Sequence, residues 1–120
     1  MKILIADDRR AMRMVIKAML REAGIRGAEI IEAADGAEAL QKAADEDPDL
    51  IISDWNMPNM TGLEFLQALR AAGNDVTFGF ATTEVSPEMR AVAADSGSSF
   101  LIAKPFAAAD FARALAAYID

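Results

Sequence analysis

Neither cysteine nor histidine occurs anywhere in the 120 residues. The first absence excludes disulfides, thiolate nucleophiles and zinc–thiolate sites. The second excludes imidazole general bases, imidazole metal ligands and phosphohistidine intermediates on this chain. No apolar run approaches the roughly 20 residues that a membrane-spanning helix needs. The opening residues, MKILIADD, reach two carboxylates too soon for a signal peptide. Positive charge is also scarce: 12 Lys and Arg against 19 Asp and Glu leave a net charge of −7, the wrong sign for non-specific binding to a phosphate backbone. Nucleic-acid binding and membrane insertion are therefore not expected, and a cytoplasmic location is. Hydrophobic residues make up 53% of the chain and recur along its whole length, so a single folded domain over 1–120 is expected rather than an acidic disordered tail. The chemistry left to such a chain runs through carboxylates, hydroxyls, lysines and backbone.

Short apolar runs alternate with amphipathic stretches. Lys2–Ala6, Glu29–Ala33, Leu50–Ser53, residues 76–81 and Phe100–Ala103 read as strands. Between them, residues 9–23 carry Met12, Ile16, Met19, Leu20 and Ala23 at helical spacing, with Gly24 as a stop. Residues 36–45 form a second helix, and Leu63, Leu66 and Leu69 mark a third that stops near Gly73. Ser86 and Pro87 suit the N-cap and first turn of a fourth. A fifth helix carries Phe111, Leu115, Tyr118 and Ile119. Gly79 leaves room in the fourth strand for a close backbone approach. Five strands alternating with five helices predict an α/β fold: a doubly wound parallel sheet with helices on both faces. In such sheets ligands sit beyond the carboxyl ends of the strands, where strand order reverses.

The polar residues that follow the strands therefore share one rim. They are Asp7 and Asp8 after the first strand, Asp54 after the third, Thr82 after the fourth and Lys104 after the fifth. Three carboxylates brought together repel one another, and a hard divalent cation such as Mg2+, which takes oxygen ligands, relieves that repulsion. Asp8 and Asp54 are candidates for direct ligation, with Asp7 reaching the metal through water. Asp54 is then a carboxylate nucleophile for phosphoryl transfer, with Lys104 and the Thr82 hydroxyl contacting phosphate oxygens. Each residue taken singly has a plainer reading: Asp8 as a helix N-cap, Asp54 as a turn cap, Lys104 as a solvated cation. The coincidence of all of them at one sheet edge favours the functional reading.

The run Ser53-Asp54-Trp55-Asn56-Met57-Pro58-Asn59-Met60-Thr61-Gly62-Leu63-Glu64, with Ala6-Asp7-Asp8 before it and Ala103-Lys104-Pro105-Phe106 after it, resembles a bacterial response-regulator receiver domain. The stand-alone chemotaxis receivers are the most similar, and the resemblance spans the chain. It implies a flavodoxin-like strand order 2-1-3-4-5. It also implies a single-domain response regulator, phosphorylated on Asp54 by a histidine kinase, a histidine phosphotransfer protein or a small phosphodonor. Such a protein has no enzymatic role beyond its own phosphorylation and dephosphorylation. Mg2+, with Mn2+ able to substitute, would be held by Asp7, Asp8, Asp54 and the Asn56 backbone carbonyl. Lys104-Pro105 would be a cis peptide; Asn56 and Glu84 would tune dephosphorylation; Thr83 would set access to the phosphorylated aspartate. Output would run through a downstream docking protein, and a monomer is expected.

The resemblance breaks at Leu101, where the chemotaxis receivers carry a switch aromatic three residues before the lysine. Phe100 next door is no substitute, because adjacent strand residues point to opposite faces. Thr61 also replaces an acidic residue common before the loop glycine. The first helix concentrates Arg9, Arg10, Arg13, Lys17 and Arg21, and a stripe of Arg10, Arg13 and Lys17 is a candidate kinase-docking face. Three other roles compete with the response-regulator switch. One is a phosphorylation-independent interaction module, and another is a phosphate sink for a kinase. The third, an aspartate-nucleophile phosphatase, is disfavoured because such enzymes separate their two aspartates by one residue, whereas Asp7 and Asp8 are adjacent.

Overall fold

Strands buried on both sides need apolar residues at every position, whereas helices lying on a sheet need only one apolar stripe. The computed structural model, which describes residues 1–83 and 85–118, follows that logic. Five parallel strands, β1 (Lys2–Ala6), β2 (Glu29–Ala33), β3 (Leu50–Ser53), β4 (Thr77–Thr82) and β5 (Phe100–Ala103), lie in the order β2-β1-β3-β4-β5. The helices between them are α1 (Arg10–Glu22), α2 (Gly36–Glu46), α3 (Gly62–Ala71), α4 (Pro87–Asp95) and α5 (Ala108–Leu115). This is the doubly wound, flavodoxin-like order expected above. No helix among the described residues is long and apolar enough to cross a membrane.

Alternate strand residues feed two cores. Leu4, Ala6, Ile51, Phe78 and Phe80 face α2, α3 and α4, packing on Ala39, Ala43, Phe65, Leu66 and Ala93. Ile3, Ile5, Ile52, Ala81 and Ile102 face α1 and α5, against Ile16, Leu20, Phe111 and Leu115. Phe65, Phe78 and Phe80 are fully buried and meet edge to face, with centroids 5.4 and 5.1 Å apart. Each such ring contributes roughly 1.5–3 kcal/mol by burial.

Element ends differ from the sequence reading where capping decides them. The first helix starts at Arg10, with Arg9 extended in the N-cap position and no side-chain cap, so Asp8 does not cap it. The fourth strand runs one residue later than 76–81 and takes in Thr82. Ser86 does cap α4, its hydroxyl accepting from the Met89 N–H at 3.1 Å. The last helix ends at Leu115; Tyr118 lies beyond it, and Ile119 falls outside the described residues.

The space at Gly79 is filled by a side chain rather than by backbone. A Cβ there would collide with the Phe100 ring, which is brought alongside by the Gly79–Phe100 register and also packs on Tyr118 at a centroid distance of 6.4 Å. Gly79→Ala should therefore cost about 1–3 kcal/mol in urea denaturation through overpacking. Adding Phe100→Leu should recover part of that loss, so the double variant should be more stable than the sum of the two single changes; strict additivity would show that the ring is not what limits residue 79.

Candidate functional site

The sheet order reverses between β1 and β3, and their registers align Ala6 with Ser53. The next residue of each strand is an aspartate. The Asp54 N–H donates to the Ala6 carbonyl at 2.8 Å, and the Asp7 N–H to the Ala33 carbonyl at 3.1 Å, so both carboxylates are launched from extended sheet. On the other flank Thr82 pairs with Ala103, and the Lys104 N–H donates to the Thr82 carbonyl at 2.7 Å. The Lys104–Pro105 peptide is cis.

These constraints bring Asp7, Asp8, Asp54, Thr82 and Lys104 to one place. Single oxygens of Asp7, Asp8 and Asp54 lie within 4.8 Å of one another. Asp7 is fully buried, Asp54 nearly so and Asp8 exposed. The Lys104 side chain, only 5% exposed, places Nζ 3.2 Å from Asp7 Oδ2 and 3.7 Å from Asp54 Oδ2. Asp54 Oδ1 accepts from the Trp55 N–H at 2.8 Å. Burial pushes the Asp54 carboxyl above the ordinary carboxylate range. The Lys104 ammonium opposes that shift, the Asp7 charge adds to it, and the Trp55 N–H and then the Thr82 hydroxyl pull it back. Thr82 Oγ1 is buried with no aligned hydrogen-bond partner. It is close enough to Asp54 to favour the carboxylate slightly, but it is not bonded to it.

An all-oxygen set of three carboxylates can hold a hard divalent cation, and a buried hydroxyl without a partner is a donor kept for something that enters the pocket. A family model described as the response regulator receiver domain matches residues 3–116. The chain belongs to the response-regulator receiver family. It is 39% identical over 111 residues to chemotaxis protein CheY-3 of Vibrio cholerae, covering 91% of this chain and 84% of that protein. It is 38% identical over 110 residues to chemotaxis protein CheY of Pseudomonas aeruginosa, covering 90% and 87%. The crystal structure of Vibrio cholerae CheY4 superposes with a TM-score of 0.85 at 37% identity, over 98% of each chain.

The receiver loop between β3 and α3 is clamped from both ends. The Gly62 N–H donates to the Trp55 carbonyl at 2.8 Å, and a Cβ on Gly62 would strike the Asp54 carbonyl and the Phe80 ring. Asn59, at φ +68, donates to Asp35 Oδ2 at 2.9 Å. Thr61 and Glu64 form a reciprocal capping box at 3.1 and 3.0 Å. Thr61 thus starts α3, a role legible in its Thr-x-x-Glu spacing but not drawn from it. Trp55 packs on Phe80 at 4.7 Å. Asn56 and Thr83 are exposed beside the pocket, while Glu84 lies outside the described residues. Leu101, half-buried, packs into the Phe78–Phe80 core, and Phe100 packs into the opposite one.

The basic stripe on α1 is not a row of solvated cations. Glu32, which the sequence reading passed over, accepts from Arg13 Nε at 2.9 Å and Lys17 Nζ at 3.1 Å, while Arg10 remains exposed. A charged residue inside a short strand opposite a basic helix was the available signal.

A carboxyl whose pKa rises on folding lends its stability at low pH and loses it as pH rises through the folded value. Wild-type protein without divalent cations should therefore melt below Asp54→Asn at pH 7. The gap should close as pH falls through the raised Asp54 range towards the ordinary 3.8. Equal melting temperatures at pH 7 would mean that the Asp54 charge is not under strain.

Proposed function

We propose that the chain acts as a single receiver domain over 1–120, a cytoplasmic phosphorylation switch that accepts a phosphoryl group on Asp54 in a Mg2+-dependent reaction and signals by docking to a protein target. What most supports this is the Thr82 hydroxyl, buried and unpartnered next to Asp54, with the buried Lys104 ammonium 3.7 Å from the Asp54 carboxylate. In this reading Asp7, Asp8, Asp54 and the Asn56 carbonyl hold Mg2+, which supplies positive charge against the oxygens of the incoming phosphate. A carboxylate oxygen of Asp54 attacks the phosphorus of a phosphohistidine. The O–P bond forms as the N–P bond breaks, and the imidazole leaves with the electron pair and takes a proton from solvent. Lys104 and the Thr82 hydroxyl bind two oxygens of the transferred group. Water later attacks the acyl phosphate, releasing inorganic phosphate and restoring the carboxylate, at a rate that Asn56, Thr83 and Glu84 adjust.

The names of the relatives favour chemotaxis as the pathway, and membership of the receiver family favours a histidine kinase or phosphotransfer protein as the donor. With Arg13 and Lys17 already engaged by Glu32, Arg10 is the exposed residue of that three-residue stripe and the first candidate to carry kinase docking. A second reading, a phosphorylation-independent interaction module, draws support from Leu101. Its side chain sits in the apolar core where related chemotaxis receivers would use an aromatic.

Trp55 is the only tryptophan and directly follows Asp54, whose carboxylate accepts from the Trp55 backbone N–H, so its fluorescence is a local probe of the pocket. Mg2+ should change its fluorescence saturably, and a small acyl or amide phosphodonor should then add one acid-labile phosphoryl group by intact mass. Asp54→Asn should abolish the adduct. Thr82→Ala should slow its formation by about tenfold or more while the Mg2+ response persists. Wild-type protein that gains no phosphoryl group would favour the interaction module.

A further inference from the structure

Every polar group of Asp7 is tied down. Its N–H donates to Ala33, Oδ1 accepts from the Arg9 N–H at 2.9 Å, Oδ2 accepts from Lys104, and its backbone carbonyl accepts from Arg13 Nη1 at 2.7 Å. Asp8 is the opposite case: exposed, with no hydrogen bond or ion pair among the described residues. The Asp7 carbonyl belongs to the peptide plane that joins the two, so whatever fixes that plane fixes where the Asp8 side chain starts.

We propose that Arg13 is a positioning residue for cation binding. It grips the Asp7–Asp8 peptide through the Asp7 carbonyl and is itself held in place by Glu32. The inference rests on the reading of Asp7, Asp8 and Asp54 as a Mg2+ site. The guanidinium suits the task because its planar fork serves two acceptors in fixed directions: Nη1 to Asp7 and Nε to Glu32 at 2.9 Å. Its side chain is only 15% exposed. Left alone, a cation here would oppose a divalent ion nearby. Glu32 offsets part of that penalty, because its single carboxylate is shared by Arg13 and Lys17. Glu32 is anchored in turn by its β2 register with Ile5. The geometry thus runs from the edge strand through Glu32 and Arg13 to the peptide preceding Asp8.

The sign of one measurement separates this from simpler roles. Arg13→Met removes a positive charge near three carboxylates, so electrostatics alone would tighten Mg2+ binding, and a purely structural role would lower the melting temperature without moving the affinity of the folded protein. Positioning predicts weaker binding, by about 10-fold, the scale seen for residues that orient metal ligands. The titration follows Trp55 fluorescence, checked by calorimetry, with no phosphodonor present. Arg13→Lys keeps the charge but not the fork and should also bind Mg2+ more weakly than wild type, and it carries the test should Arg13→Met not fold. Equal or tighter binding by the folded variants overturns the inference alone. A wild-type protein that does not bind Mg2+ overturns the metal reading and the inference with it.

Discussion

Two carboxylates, Asp7 and Asp54, share one ammonium in a pocket that water barely reaches, and the receiver fold is arranged around that imbalance. Removing such charges from water costs several kcal/mol each unless they are matched. Lys104 matches one, nearer to Asp7 at 3.2 Å than to Asp54 at 3.7 Å. With Asp8 at the rim, the three carboxylates outnumber the ammonium by two charges. The deficit equals the charge of one divalent ion. The raised affinity of Asp54 for protons comes first from its burial, with the Asp7 charge adding to it against the pull of Lys104. The fold tolerates this because its two apolar cores are complete without the pocket: strands alternate between them, and no core residue must be spared for the charges.

The alternation of apolar runs with amphipathic stretches carried the fold, because a parallel sheet covered on both faces leaves no other pattern. The rim residues Asp7, Asp54, Thr82 and Lys104 were legible for a related reason. A polar residue directly after a buried strand has only one place to go, and the sheet order brings those places together. Side-chain contacts were less legible. Glu32 reads as an unremarkable strand residue until the β2 edge is seen beside α1, and Arg13 reads as a surface cation until Glu32 is found to hold it. Such pairings depend on where a helix sits laterally on a sheet, which periodicity does not encode. Gly79 shows the same limit: the sequence implied space, but only the β4–β5 register reveals that the Phe100 ring fills it.

Leu101 and Phe100 divide the β5 contribution between the two cores. Phe100 is committed to the α1/α5 side, wedged over Gly79 and packed on Tyr118. Leu101 lies on the other side, in register with Phe80, whose ring in turn packs on Trp55 next to Asp54. A chain of packed side chains therefore joins residue 101 to the pocket through Phe80 and Trp55. In the proposed switch, a change at Asp54 would reach β5 through packing, since no side-chain hydroxyl at residue 101 can exchange hydrogen bonds.

Asp7 and Asp8 put adjacent residues under opposite constraints. Asp7 has its backbone and carboxylate groups fixed from β2, α1 and β5, so it acts as the frame of the pocket rather than as a part that adapts. Asp8 keeps its carboxylate in solvent, where a cation can collect it without first breaking a protein contact. Rigid support behind an adaptable ligand lowers the entropic cost of ordering the site while leaving the exchange of ion and water open. The arrangement also explains why the N-terminus of α1 forgoes a side-chain cap. The carboxylate that could have capped it from the Asp8 position is left unattached, and the Arg9 N–H turns back to Asp7 instead.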